Sequence, residues 1–234
     1  MNFKPSRSSF IPVNLDPLEY VLMLTAFIAG SVDIISFAKL GGVFASAMTG
    51  NLAFLGLYSA AGAWVSAIGS LLALMGFIIG GAVGTLFTRG RQNHAAITIL
   101  VSTETILLLG AAVLWFVAPY RHGRLSTETL ILILSIAMGL QSICGKKINR
   151  SNIPTVVFTS TLTNIVIAVT DSLARGKIAF PTDTKRQLAS FWLYFFGAFA
   201  AGLLVFFHLG IVILLPLIAA ALTLFVHVGG SARF

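Results

Sequence analysis

Residues 44–51 read FASAMTGN, and they break an apolar run that is otherwise continuous from residue 43 to residue 60. A helix needs about 20 apolar residues to cross a bilayer. This run is shorter than that and carries Thr49, Gly50 and Asn51 inside it. An asparagine amide has donors and acceptors that hydrocarbon cannot satisfy. Glycine lets a second backbone come close and permits unusual backbone angles. The stretch therefore reads as a break in a membrane segment. Whether that segment crosses or turns back decides the fold.

The rest of the chain fixes the class. Of 234 residues, 57% are hydrophobic and 9% are charged, against about 25% charged in soluble domains. This is a polytopic, all-α membrane protein with no room for a second, soluble domain. The net charge of +8 is not a nucleic-acid footprint, because the lysines and arginines sit in short loops between apolar runs, where they set topology. Cys144 stands alone, so no internal disulfide forms, and it reads as a small buried hydrophobe. Lys4 and Arg7 precede a run too long for a cleaved leader. That run is an uncleaved first helix, opened by Asp16 as N-cap, Pro17 and Glu19.

Eight apolar segments follow, at about 18–38, 43–60, 64–88, 95–118, 127–145, 154–173, 187–207 and 210–228. If all eight cross, nine of the fifteen Lys and Arg lie on the N-terminal side. If the second and sixth re-enter, twelve do, leaving Lys39, Arg121 and Arg124 opposite. The positive-inside rule favours the second arrangement. The expected architecture is six crossing helices plus two re-entrant or broken segments, with eight crossing helices in parallel repeats as the alternative. The divisions are a tail at 1–16, a first repeat at 17–118, a loop at 119–126, a second repeat at 127–228 and a tail at 229–234.

The two halves share pieces in the same order. VFASAMTGN (43–51) matches VFTSTLTN (157–164), and FIIGGAVGTLF (77–87) resembles FFGAFAAGLLV (195–205), with Gly84 on Gly202. Gly30 and Gly139 each precede a buried polar residue, Asp33 or Gln141. A duplicated unit with three crossings inverts in its second copy. Inverted repeats are a transporter architecture, with the site where broken helices meet.

The chemistry-bearing residues are few. Asp33 and Glu104 are acids deep within membrane segments, which are costly unless they face protein or water. Both are candidate proton sites, and Asp33 has a second reading as a tie between the first helix and the re-entrant segment. Thr49, Gly50 and Asn51, paired with Thr163 and Asn164, and Gln141 are candidates for a solute or ion path. Gly76, Gly80 and Gly84 recur at four-residue spacing, the pattern of close helix packing within a monomer or between copies. Asp171 and Arg175 form an expected surface pair. His208 and His227 fall at helix ends, and His94 and His122 in loops. None has metal-ligand spacing, so neither metal nor cofactor is expected. Phosphate-loop, zinc-protease and nucleophile-elbow motifs are missing, and the chain is not read as an enzyme.

The run AGSVDIISFAKLGGVFASAMTGN (29–51) resembles the signature of the YoaK family of bacterial inner-membrane proteins. The matching positions are Gly30, Asp33, Gly41, Phe44, Met48, Thr49, Gly50 and Asn51, with Gly139, Gln141 and 159–163 later. Where the family carries Thr-Gly in its second half, this chain has Thr163 followed by Asn164. The resemblance implies a small multi-pass protein of a bacterial inner membrane. With the charge pattern, both termini are expected in the cytoplasm. The partners expected are the lipid bilayer and a small polar solute or proton, with a homo-oligomer through the Gly76 ladder as a further option.

Overall fold

The computed structural model describes residues 17–117, 124–148, 158–175 and 181–231. Eight α-helices and one 3-10 turn make up every regular element among them. They are α1 (Pro17–Lys39), α2 (Met48–Ala60), α3 (Trp64–Thr88), α4 (Asn93–Val117), α5 (Arg124–Ile148), α6 (Phe158–Ala174), α7 (Thr182–Phe206), a 3-10 turn (Gly210–Ile213) and α8 (Leu214–Ser231). Helices are what lipid demands, since each backbone N–H must find its carbonyl within the segment. Six stretches are long and apolar enough to cross a membrane: α1, α3, α4, α5, α7 and the turn with α8. At 13 residues, α2 is about 20 Å long, well short of a hydrocarbon core of about 30 Å. The other short helix, α6, has 17 residues.

Side-chain pairs at the helix ends set the directions. Glu19 on α1 pairs with Arg186 on α7, so those two helices start together. Lys147 Nζ lies 3.5 Å from the Thr88 carbonyl, so α5 and α3 finish together. Gln141 Nε2 donates to the Thr25 carbonyl at 3.0 Å, which sets the second half of α5 against the first half of α1. Thr98, near the start of α4, meets His227, near the end of α8, at 3.0 Å. At the far end of the same two helices, Trp115 Nε1 donates to the Gly210 carbonyl at 2.9 Å. Thus α4 and α8 are antiparallel. Eight successive crossings would have made them parallel; six crossings with α2 and α6 turning back give the observed sense.

Small residues let the crossing helices touch backbone to backbone. A side chain at Gly30 would strike the Tyr194 carbonyl of α7, and one at Gly197 the Phe27 carbonyl of α1. The same geometry joins α3 and α5, with Gly80 against the Ile136 carbonyl and Gly139 against the Phe77 carbonyl. The face bearing Gly76, Gly80 and Gly84 is therefore filled by α5 of the same chain. Of the two packings the spacing allows, this is the one within a single chain. Around these contacts lies a continuous core that includes Ile28, Val32, Ile35, Leu108, Leu134, Met138 and Ile213.

Several boundaries differ from the apolar runs. Residues 43–47 are non-helical, and α2 starts only at Met48, because this irregular segment, an entry strand in name only, is held by side chains described below. Helix α7 starts at Thr182, inside what reads as a polar connector, since Lys185 and Arg186 extend a helix whose charged end leaves the apolar layer. Helix α5 starts at Arg124, three residues before its apolar run. His94 lies in the first turn of α4, not in a loop. The tail at 1–16, Arg121, His122, Arg150, Lys177 and the start of segment six at 154–157 lie outside the described residues.

Candidate functional site

Helix α1 stops because Gly41 and Gly42 both take positive φ, 91° and 77°, a region open to glycine at little cost. The Gly42 N–H closes back on the Phe37 carbonyl at 3.1 Å. The chain then turns inward along α1 instead of leaving the bundle, exposing backbone groups that need partners at depth. Two side chains supply them. Asp33 Oδ1 accepts from the Ser46 N–H at 2.7 Å, and its Oδ2 accepts from the Ser46 hydroxyl at 2.6 Å. Asn51 reads the Phe44 peptide at both ends: its Oδ1 accepts from the Phe44 N–H at 2.9 Å, and its Nδ2 donates to the Phe44 carbonyl at 2.6 Å. The amide thus mimics a strand partner for one residue.

A third donor reaches Asp33 from the other half. Tyr194 of α7 donates its hydroxyl to Oδ2 at 2.8 Å, beside the Gly30 crossing. Asp33 and Asn51 are buried, at 1% and 0% exposure. A carboxylate holding three donors is satisfied electrostatically at a depth where an unpaired one would not be tolerated. The entry strand is covered by stacked rings: Phe37 on Phe44 at 5.0 Å, Phe44 on Phe54 at 6.1 Å and Phe54 on Tyr58 at 5.8 Å. Gly50 lies under the Phe44 ring. Thr49 is exposed on the outer side of α2.

The sequence candidates therefore separate into four places. Asp33 and Asn51 gather around 43–46 with Ser46 and Tyr194, and Gly50 packs beside them. Gln141 belongs to the α5–α1 contact near Thr25. Thr163 and Asn164 are exposed on α6, which packs along α7 and not against α2. Asn164 lines a shallow cleft of about 400 Å³ with Ile167, Asp171, Arg175 and Pro181. The two amides do not face each other, because α2 and α6 turn back at opposite ends of the bundle. Glu104 lies in the α4–α5 interface near Cys144. Its flanking Thr103 and Thr105 hydroxyls bond their own helix, to the Ile99 and Val101 carbonyls, each at 2.8 Å.

Sequence reasoning missed several participants. Tyr194 is the one hydroxyl in the aromatic run FWLYFF (191–196), and that contrast was its available signal. Ser46 looked like one more small residue. Arg186 read as a topology charge, yet it closes on Glu19, whose side chain is 4% exposed. His94 and His227 stack with centroids 4.5 Å apart, a pairing that residues so distant in sequence do not announce. The Asp171–Arg175 surface pair is present at 3.7 Å, and Cys144 is buried as expected.

Two expected outcomes follow from these contacts. Asn51→Leu leaves the Phe44 N–H and carbonyl unpaired in the interior and should cost about 1–3 kcal/mol. Thr49→Ala, on the exposed side, should stay within about 0.5 kcal/mol. Thermal unfolding of both variants in lipid nanodiscs compares them. Arg186→Gln strands the buried Glu19 carboxylate and should destabilise by about 1–3 kcal/mol, with much of the loss restored in the Glu19→Gln, Arg186→Gln double variant. Equal losses in the single and double variants would show that the pair is not coupled.

A family model described as a protein of unknown function, DUF1275, matches residues 21–226. The chain is also 32% identical, over 188 residues, to the UPF0700 transmembrane protein YoaK of Bacillus subtilis (strain 168), a match covering 78% of this chain and 82% of that one. No solved structure matches. With its six crossing helices and a family match running from the first helix into the last, the chain is a multi-pass membrane protein that belongs to the DUF1275 family, to which the YoaK signature also assigns it.

Proposed function

We propose that this protein is a carrier for a small polar solute, built as an inverted repeat whose halves are α1–α4 and α5–α8. The observation that carries the reading is the exchange of contacts between halves. The first helix of each half packs in parallel on the third helix of the other, through glycine on both sides. Gly30 and Gly197 join α1 to α7 as Gly139 and Gly80 join α5 to α3. This equivalence sets Gly80 on Gly197, one residue away from the Gly84–Gly202 match. It also brings Glu19 onto Glu128 in register with Gly30 on Gly139. Inverted repeats with interrupted segments carry solutes by rocking one half against the other.

In this reading, Asp33 acts as a latch. Through Ser46 and Tyr194 it joins the entry strand of the first half to α7 of the second, closing the α2 end of the bundle. The cleft beside Asn164 opens at the opposite end. Arg89, Arg91, Lys146, Lys147, Arg175 and Lys185 gather at that opposite end, which is taken as the cytoplasmic face of a bacterial inner membrane. Both termini would then be cytoplasmic, and the chain would act without catalysis.

The test is uptake into proteoliposomes across a panel of small anions, sugars and amines, for wild type and Asp33→Asn. The carrier reading expects saturable uptake of at least one solute and a changed rate in the variant. Uptake indistinguishable from empty vesicles throughout the panel would support a second reading, a membrane module that binds a partner protein or lipid. One observation favours that alternative: the hydrogen-bonding atoms of Asp33 and Asn51 are engaged by the chain itself.

A further inference from the structure

We propose that Glu104 is a proton-binding site in the centre of the bundle, and that its proton, not one on Asp33, is the one the carrier couples to. The second part rests on the carrier reading above. Glu104 stands eleven residues beyond the start of α4, about 16 Å along it, and so near the middle of the apolar layer. It is 1% exposed, and among the described residues its Oε1 has no hydrogen-bond partner. It lies near Cys144, and the turn of α4 before it carries Leu100 and Val101, which share a buried apolar cluster with Leu140 and Cys144.

A carboxylate in such a place needs a counter-charge, and among the described residues the packed elements bring none to it. From α5 the titratable group that faces it is Cys144; Lys146, Lys147, Glu128 and Arg124 lie toward the two ends of that helix. Helix α3 and the 3-10 turn carry no titratable side chain. The single titratable group of α8 is His227, which bonds Thr98, six residues before Glu104 and about 9 Å along the helix. The group that completes Glu104 without a cation is a proton. Asp33 differs, because its two oxygens already hold the Ser46 N–H and hydroxyl and the Tyr194 hydroxyl. Binding a proton there would displace a latch bond, whereas at Glu104 a proton on Oε1 displaces no hydrogen bond among the described residues.

Infrared difference spectroscopy of the full-length protein in lipid, recorded through a pH titration, tests the site directly. A buried carboxyl without hydrogen-bond partners gives a carbonyl band at the high-frequency edge of the carboxylic-acid region, apart from solvated acids. The expected result is such a band that appears and vanishes reversibly, is lost in Glu104→Gln, moves in Glu104→Asp and persists in Asp33→Asn. The site is overturned if the wild-type band is absent throughout, or if it survives unchanged in both Glu104 variants. Uptake driven by a pH gradient, over the same solute panel, tests the coupling. Glu104→Gln should lose the acceleration by the gradient and keep solute exchange. A band assigned to Glu104 with no uptake of any solute upholds the proton site and overturns its coupling role together with the carrier reading.

Discussion

Gly80→Leu is expected to prevent the protein from accumulating in membranes, and Gly80→Ala to lower its stability by about 1–3 kcal/mol, the usual range for an overpacked contact. The cause is the atom that the new side chain meets. At Gly80 a Cβ collides with the Ile136 carbonyl and its Cα, a backbone that cannot rotate away as a side-chain tip would. Relief requires separating α3 from α5 along their length, which also loosens the neighbouring Gly76 and Gly139 contacts. Nothing replaces that packing, because helices in lipid gain little from hydrophobicity and depend on close approach. Gly197→Leu and Gly30→Leu should fail in the same way at the α1–α7 crossing. Gly81→Ala is the control. It points into open space one residue away, so it should be neutral or gain up to about 1 kcal/mol from helix propensity. Size-exclusion profiles and thermal unfolding in detergent separate the two outcomes; an intact, equally stable Gly80→Leu would remove the backbone-contact account.

Asp33→Ala is expected to cost about 3–4 kcal/mol and to free the entry strand. Neutral hydrogen bonds between membrane helices average about 0.6 kcal/mol, because the unfolded chain in lipid finds other partners. Bonds to a charged acceptor are worth roughly twice as much. Asp33 makes three of them, and its loss leaves the Ser46 N–H in an interior with no water to take its place. Asp33→Asn keeps one acceptor oxygen and should lose about half as much. The structural readout is a cysteine placed at Ala45, in a chain whose Cys144 is replaced by serine. Ala45 is buried, so that cysteine should stay unreactive beside Asp33 and label quickly beside Asp33→Ala. Protection that is unchanged by the loss of Asp33 would mean that Asn51 and the Phe37–Phe44–Phe54 stack hold the strand by themselves.

The class and the segment count were legible because they depend on composition and run length. The return of α2 was legible through charge: only with α2 and α6 turning back do twelve basic residues share a face. The starting point of α2 was not, since Val43, Phe44 and Ala45 are as apolar as any helical residue. What keeps them out of the helix is a pair of side chains, one of them thirteen positions upstream of Ser46. Likewise, Gly76, Gly80 and Gly84 announced a close contact but could not say with which helix. Phe, Gly and Ala recur so densely in 77–87 and 195–205 that a one-residue shift scores alike, so the proposed pairing of Gly80 with Gly197 rests on their backbone contacts and not on the sequence. Asp33 carried its tie reading in the sequence; Tyr194, 161 residues away, did not.

The central claim is that the chain has two oppositely directed halves, each with a short helix that turns back. Sided labelling of single cysteines, introduced at Ala61, Arg89, Arg175 and Leu209 in the Cys144→Ser background, tests it most directly. All four positions are exposed. The structure predicts that Ala61 and Leu209 label from one face of the membrane, and Arg89 and Arg175 from the other. Ala61 labelling together with Arg175, and Arg89 together with Leu209, would mean eight crossings in parallel repeats and would contradict it.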